Sequence, residues 1–214
     1  MKKRLTSAER RKMIIEFASE AFAKQGYDAT RTRDIAQECD MNEALLYRHF
    51  ESKKILYLEV LREVHGQYAA SLNEYLNLAE TGFEALSKLA YKQFQSCGQD
   101  RLLTTLMLHA MQLAVSDEDV RELVNEWFNF HHKQMADQVK RGIEDKSIKP
   151  DIDPEKATFC LRYVIWGFIM HMATGCCKDT NATYTEKNID GILELIRNPE
   201  NESASIHSAF LTRN

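Results

Sequence analysis

Proline and glycine are scarce in this chain, with three prolines and eight glycines among 214 residues. Both residues disrupt helix interiors, so their scarcity favours long helices joined by few turns. The most apolar run, at 164–170, is far too short to cross a membrane. The five cysteines are an odd number without framework spacing, which indicates reduced thiols. The charged start is followed by no apolar signal segment, and we therefore expect a cytoplasmic protein.

An excess of positive charge is also lacking, since the formal net charge is −4. The distribution of charge is uneven, because residues 1–55 hold twelve Lys and Arg against nine Asp and Glu. A basic N-terminal segment on an acidic body fits an anion-binding face. Taken alone, however, the charge run favours the simpler interpretation of a solubilising tail.

Apolar residues recur at helical spacing along most of the chain, and no stretch has the alternation of a β-strand. Caps accompany the helices: Thr6 and Glu9 predict a capping box, and Asp153 precedes Pro154 at the favoured first position of a helix. The pattern predicts an all-α fold of about nine helices, beginning near residues 6, 31, 42, 52, 81, 100, 117, 153 and 183.

Residues 30–53 (TRTRDIAQECDMNEALLYRHFESK) predict two short helices, at about 31–39 and 42–49, joined by a tight turn. Asn42 is a good N-cap for the second helix, which carries Leu46 and Phe50 on one face. Its other face carries hydrogen-bonding side chains, as suits insertion into a DNA major groove. The alternative is a structural helical hairpin that does not contact DNA.

The helix predicted after Asp153, reaching to about residue 174, is apolar almost all round. Such a helix must be covered on every side, and a partner subunit is the natural cover at the end of a bundle.

Three segments carry a resemblance to a known family: residues 22–27 (FAKQGY), 33–36 (RDIA) and 46–53 (LYRHFESK). At these spacings the chain resembles the TetR-type transcriptional regulators over about residues 7–61, with a softer similarity at 148–155 (IKPDIDPE). The resemblance implies an all-α homodimer with an N-terminal helix-turn-helix domain and a C-terminal helical bundle. We accordingly expect a DNA-binding domain at 1–52, a ligand-binding and dimerisation domain at 53–198, and a tail at 199–214. The helix that begins at 52 links the two domains.

The exposed side chains around the second short helix match DNA chemistry. Phosphate contacts are expected from hydroxyl, imidazole and ammonium groups, and base contacts from Arg48 and Asn42. Asp40 replaces the glycine usual in the family's turn, and Asp tolerates the left-handed conformation. Two further residues also depart from the family's pattern: Glu43 can accept from cytosine, and Leu45 can touch a thymine methyl. The predicted DNA-binding residues are Thr32, Arg33, Asn42, Glu43, Leu45, Tyr47, Arg48, His49 and Lys53.

Aromatic, methionine and histidine side chains in the C-terminal region predict an apolar ligand pocket with a few polar handles. For any one of the aromatics and methionines, plain core is the favoured alternative. The predicted pocket residues are His65, Met107, His109, Met111, Trp127, Phe130, His131, Trp166 and Met170. The predicted dimer interface consists of Phe159, Tyr163, Trp166, Ile189, Ile192, Leu193 and Ile196.

Two adjacent pairs, His131-His132 and Cys176-Cys177, invite metal or redox interpretations. Neighbours on a helix point about 100° apart, so neither pair forms a chelate alone. We expect no metal and no cofactor, and the absence of a nucleophile motif or a phosphate loop argues against an enzyme.

The predicted function is a ligand-responsive repressor that binds palindromic double-stranded operator DNA as a homodimer. A small apolar or amphipathic inducer is expected to release it. The alternative is a DNA-associated adaptor of the same fold whose output is a protein–protein contact without an inducer.

Overall fold

The computed structural model describes residues 5–99, 101–175 and 182–201, apart from the side chains of 97–99, 172 and 182–186. Within this part the chain forms nine helices and no strand, which confirms the all-α prediction. One isolated antiparallel bridge pairs Ile148 with Arg197. The helices are α1 (Ser7–Ala29), α2 (Thr32–Glu38), α3 (Glu43–Tyr47), α4 (Lys53–Leu76), α5 (Gly82–Gln99), α6 (Arg101–Leu113), α7 (Glu118–Glu144), α8 (Pro154–Thr174) and α9 (Ala182–Ile196).

Local caps begin several helices where the sequence predicts them. The Glu9 N–H donates to the Thr6 hydroxyl at 3.2 Å and the Thr6 N–H donates to the Glu9 carboxylate at 2.8 Å, so the capping box is confirmed. Asp153 accepts from two N–H groups at the start of α8, with Pro154 in the first position. The cap predicted for α9 at Thr183 lies outside the described side chains.

The first compact unit comprises Met1–Ala69 and Asp100–Trp127. Within it α1 packs against α2 and α6, and α2 packs against α3. The buried side chains of α1 to α4 and of the connection before α4 include Ile14, Ala18, Phe22, Ile35, Ala36, Leu46, Phe50, Leu56, Tyr57, Val60 and Leu61. Short helices such as α2 and α3 are not stable alone, so their buried side chains and their packing in this unit hold them in place.

The second compact unit comprises Ala70–Gln99 and Phe128–Asn214. In it α5, α8 and α9 pack against one another. The loop after α7 satisfies the start of α5: the Gly82 N–H donates to the Asp145 carboxylate at 2.7 Å, and the Phe83 N–H donates to the Ser147 hydroxyl at 3.0 Å. These bonds supply partners for donors that a helix start leaves unsatisfied.

The chain passes from one packing unit to the other within α4, after Gln99 and within α7. The boundary expected at residue 52 separates DNA binding from ligand binding and dimerisation. It is not a boundary of packing, and it stays a prediction.

Helix α8 keeps large apolar side chains at its surface. Phe159 and Tyr163 are 44% and 63% exposed, although Leu161, Ile165 and Ile169 of the same helix are buried. Within the described ranges every helix is too short or too polar to traverse a bilayer. Helix α8 thus has an exposed apolar face that includes Phe159 and Tyr163.

Candidate nucleic-acid interface

The turn between α2 and α3 adopts the geometry that its sequence allows. Asp40 lies in the left-handed region with φ 54°, which confirms that Asp tolerates this conformation at the position where the family usually has glycine. The Met41 N–H donates to the Ala36 carbonyl at 3.0 Å and closes the turn. Asn42 then caps α3, since its side-chain oxygen accepts from the Leu45 N–H at 2.8 Å.

Helix α3 is anchored by its apolar face. Leu46 and Phe50 are 0% and 1% exposed, and Ile35 and Ala36 of α2 are each 1% exposed. The α3 helix is shorter than predicted, ending at Tyr47, but the Phe50 N–H still donates to the Leu46 carbonyl at 3.1 Å. The helical hydrogen bonding thus continues into the turn before α4.

The nine predicted DNA-binding residues differ in exposure. Four are exposed, namely Arg33, Asn42, Tyr47 and Arg48. Four are half-buried, namely Glu43, Leu45, His49 and Lys53, whereas Thr32 is buried. Arg31, immediately before α2, is also exposed and was absent from the predicted set. Its position beside Thr32 and Arg33 was the signal that could have included it, because helix starts and cations together attract phosphates.

A hydrogen-bond network joins α2 to the outer face of α3. The Thr32 hydroxyl donates to the Glu43 carboxylate at 2.6 Å and lies 3.0 Å from the Tyr47 hydroxyl. Thr32 is only 7% exposed, so it lies beneath Glu43 and Tyr47 rather than at the surface. A direct contact of Thr32 with DNA stays a prediction, but its hydroxyl already has two partners within the protein.

Lys53 is held against the end of α1. Its ammonium donates to the Asp28 carbonyl at 3.2 Å and lies 4.5 Å from the centre of the Tyr27 ring. Burial lowers the pKa of Lys53 below its usual value, and the Asp28 carboxylate partly opposes this shift. An ammonium has three donors, so one phosphate contact remains compatible with this position.

Arg11 of α1 contacts the segment between α3 and α4, and the sequence alone did not reveal this role. Its guanidinium donates to the His49 carbonyl at 2.7 Å, lies 2.9 Å from the Glu59 carboxylate and sits 4.2 Å from the centre of the Phe50 ring. Arg11 was recognised only as part of a basic N-terminal run. Contacts across 38 residues leave no local signal in the sequence.

The predicted pocket residues divide between the two packing units. Those of the first unit are His65, Met107, His109, Met111 and Trp127, and those of the second unit are Phe130, His131, Trp166 and Met170. The His65 ring stacks on Trp127 with 4.9 Å between ring centres, and burial lowers the pKa of His65 to about 4. The neutral imidazole suits an apolar pocket.

His109 has a structural role in the first unit, because its Nδ1 is 3.1 Å from the Phe22 carbonyl of α1. A cleft of about 310 Å³ opens beside it, lined partly by Gly26, Tyr27 and Gln112. The assignment of these residues to a ligand site stays a prediction.

The predicted dimer-interface residues separate into surface and core. Phe159 and Tyr163 are exposed, and Trp166 and Ile192 are half-buried. Ile189, Leu193 and Ile196 are 2%, 1% and 7% exposed within the single chain. These three side chains of α9 support the unit from inside, because the chain's own packing already covers them.

The two adjacent pairs are only partly described. His132 Nε2 is 2.9 Å from the Glu155 carboxylate, and the His132 ring lies against Phe159 with 4.6 Å between ring centres. Cys176 and Cys177 lie outside the described residues.

Comparison with known proteins agrees with this geometry. The HTH-type transcriptional repressor KstR2 of Mycolicibacterium smegmatis is 27% identical over 159 residues, covering 74% of this chain and 77% of the relative. The family described as bacterial regulatory proteins, tetR family, matches residues 14–60, which span most of α1, all of α2 and α3, and the start of α4. The N-terminal part of the chain is a TetR-type helix-turn-helix domain.

Solved structures support the TetR fold over nearly the whole chain. A putative regulator from Saccharomonospora viridis in complex with choline has a TM-score of 0.81 at 23% identity, covering 88% of this chain and 97% of its own. The regulator FadR from Bacillus subtilis in complex with stearoyl-CoA has a TM-score of 0.69 at 21% identity, covering 86% and 96%. The chain is a transcription regulator with a TetR-type DNA-binding helix-turn-helix, and its named relatives are transcriptional regulators.

Proposed function

We propose that this TetR-family chain is a ligand-responsive cytoplasmic repressor that binds a palindromic operator as a homodimer. Each subunit inserts α3 into a major groove, and the two half-sites lie about 34–36 Å apart or a small multiple of that distance. Residues 1–52 carry DNA binding, residues 53–198 carry ligand binding and dimerisation, and residues 199–214 form a tail.

The observation that carries the proposal is the division of α3 into a buried face and an exposed reading face. Leu46 seats the helix, and the exposed Asn42 and Arg48 stand at its two ends. Arg bidentate to guanine and Asn bidentate to adenine are strong base pairings. Arg33, with Arg31 beside it, supplies exposed positive charge for the phosphates at the start of α2.

The exposed face of α8 supports the homodimer. Phe159 and Tyr163 are large apolar side chains that the chain itself leaves uncovered. Half-buried Trp166 lies about one turn beyond Tyr163 and extends the same face. A two-fold axis through this face would let the patch cover itself.

Ligand response is supported by what the structural neighbours bind, namely choline in one and stearoyl-CoA in the other. The residues proposed to line the pocket include Trp127 and the neutral His65, which suit an apolar or amphipathic molecule. We therefore propose a long-chain acyl-CoA as the first inducer to test. A coupling free energy of about 1–3 kcal/mol would be enough to release the DNA.

The proposal is tested with a DNA duplex that the wild-type protein selects from a randomised pool. Arg48→Ala should weaken binding of that duplex by roughly tenfold or more, whereas Arg62→Ala, a control at an exposed position of α4, should leave it unchanged. Stearoyl-CoA should release the duplex, and choline serves as the comparison ligand. Recovery of no duplex, or equal affinities for both variants, would contradict the proposed reading face.

A further inference from the structure

The side chains of Glu43 and Tyr47 lie one helical turn apart on α3, and the Thr32 hydroxyl of α2 lies between them. The distances are 2.6 Å from the Thr32 oxygen to the Glu43 carboxylate and 3.0 Å to the Tyr47 hydroxyl. Thr32 is 7% exposed and Tyr47 is 42% exposed. The buried hydroxyl therefore connects a carboxylate to the phenol that faces outward.

The direction of each hydrogen bond follows from counting protons. An ionised carboxylate has none to donate, so Thr32 must donate its single hydroxyl proton to Glu43. The Thr32 oxygen is then only an acceptor toward Tyr47, and the 3.0 Å contact requires the Tyr47 hydroxyl to be the donor. The phenolic proton of Tyr47 consequently points into the protein, and only its oxygen lone pairs remain for an outside partner.

This direction matters for DNA because phosphate oxygens also only accept hydrogen bonds. While Glu43 holds the proton of Thr32, Tyr47 can donate to a phosphate only by turning its own proton away from Thr32 and giving up that hydrogen bond. The inference rests on the proposed DNA binding by α3. We propose that Glu43, acting through Thr32, is a positioning residue that withholds the Tyr47 hydroxyl from the DNA backbone.

As a consequence, contacts to the DNA phosphates contribute a smaller share of the DNA-binding free energy, and contacts to the bases contribute a larger share. Phosphate contacts carry no sequence information, whereas contacts to base edges do. Glu43 thus lowers the sequence-independent share of the affinity and leaves a larger share to base-reading groups such as Arg48. Removing the Glu43 carboxylate frees the Thr32 proton, and Tyr47 can then turn its own proton outward.

Simple repulsion between the Glu43 carboxylate and phosphates would also weaken DNA binding, and a double-mutant cycle separates the two effects. Tyr47→Phe removes only the hydroxyl, and it is measured in the wild-type protein and in Glu43→Ala. Because Glu43 is proposed to withhold the Tyr47 hydroxyl from the DNA, Tyr47→Phe should change the Kd by less than about twofold in the wild-type background. In Glu43→Ala it raises the Kd by about tenfold, the loss expected for a hydrogen bond to a charged group.

The matched control is Glu38→Ala, which removes an exposed carboxylate of α2. Tyr47→Phe should have the same small effect in that background as in the wild type. The Kd is measured by fluorescence anisotropy on the duplex selected by the wild-type protein, and thermal unfolding checks that each variant is folded.

If Tyr47→Phe raised the Kd by the same factor in the wild-type and Glu43→Ala backgrounds, the proposed role of Glu43 would be wrong. A large cost already present in the wild type would overturn it as well, because Tyr47 would then donate to phosphate despite Glu43. Both results differ from failure of the wild-type protein to select any duplex, which would contradict the proposed function itself. Salt supplies a second readout, because repulsion by Glu43 weakens with screening whereas the Tyr47 hydrogen bond does not.

Discussion

Gly82 and Gly142 bring the backbones of α5 and α7 into direct contact in the second unit. A Cβ on Gly82 would lie 2.6 Å from the Gln138 carbonyl and closer still to the Gly142 backbone nitrogen. A Cβ on Gly142 would meet the Ile148 side chain at 2.5 Å. The α5–α7 crossing therefore requires glycine for space, not for an unusual backbone conformation.

Gly82→Ala should lower the free energy of unfolding by about 3 kcal/mol, because the clash is with backbone that cannot rotate away. Gly66→Ala is the matched control, since nothing lies within 4 Å of its Cβ position inside α4. That change should raise the free energy of unfolding by about 0.5–1 kcal/mol. Urea unfolding of both variants measures the difference, and a neutral Gly82→Ala would contradict the close crossing.

Asn42 combines a structural and a proposed DNA-reading role, and two substitutions separate them. Asn42→Ala removes the cap on α3 and should cost about 1 kcal/mol of the free energy of unfolding, whereas Asn42→Asp keeps the capping oxygen and should cost little. Both variants lack the amide donor, so both should lose affinity for the selected duplex. Full binding by Asn42→Asp would mean that Asn42 acts only as a cap.

The pKa of His65, lowered to about 4 by burial, makes stability depend on pH. Between pH 6.5 and about 4 the unfolded chain takes up a proton at His65 that the folded protein does not. Stability at this site is therefore complete above pH 6.5 and declines as the pH falls toward 4. Allowing for partial exposure, we expect a loss of about 1–2 kcal/mol.

Urea unfolding at pH 7 and pH 5 measures this effect in the wild type and in His65→Phe, which keeps an aromatic ring for Trp127. The variant should lose less stability between the two pH values. His171→Phe, at an exposed position of α8, should behave like the wild type. The same pH dependence in all three proteins would contradict the assigned burial of His65.

Tyr163 tests the proposed homodimer. Tyr163→Asp places a charge in the middle of the exposed face of α8 and should convert dimers to monomers, because an unpaired charge is costly to bury. Val115→Asp is the control, since Val115 is 83% exposed in the first unit. Sedimentation velocity distinguishes the species. An unchanged dimer in Tyr163→Asp would place the interface on another surface.

The sequence by itself determined the helices, their caps and the apolar faces of the short helices α2 and α3. These features depend on residues within about four positions, as in the Asn42 cap, the Thr6–Glu9 box and the left-handed Asp40. The burial of Leu46 and Phe50 also followed from spacing alone, because a helix repeats every 3.6 residues.

Only the tertiary structure decided which side chains are left at the surface and which are already engaged. Periodicity marks a face as apolar but does not say what covers it: Ile189, Leu193 and Ile196, which we predict at the dimer interface, are already buried within the single chain. The contact of Arg11 with the His49 carbonyl and the contact of Lys53 with the Asp28 carbonyl join distant residues. Folding creates such contacts, and no local pattern of residues encodes them.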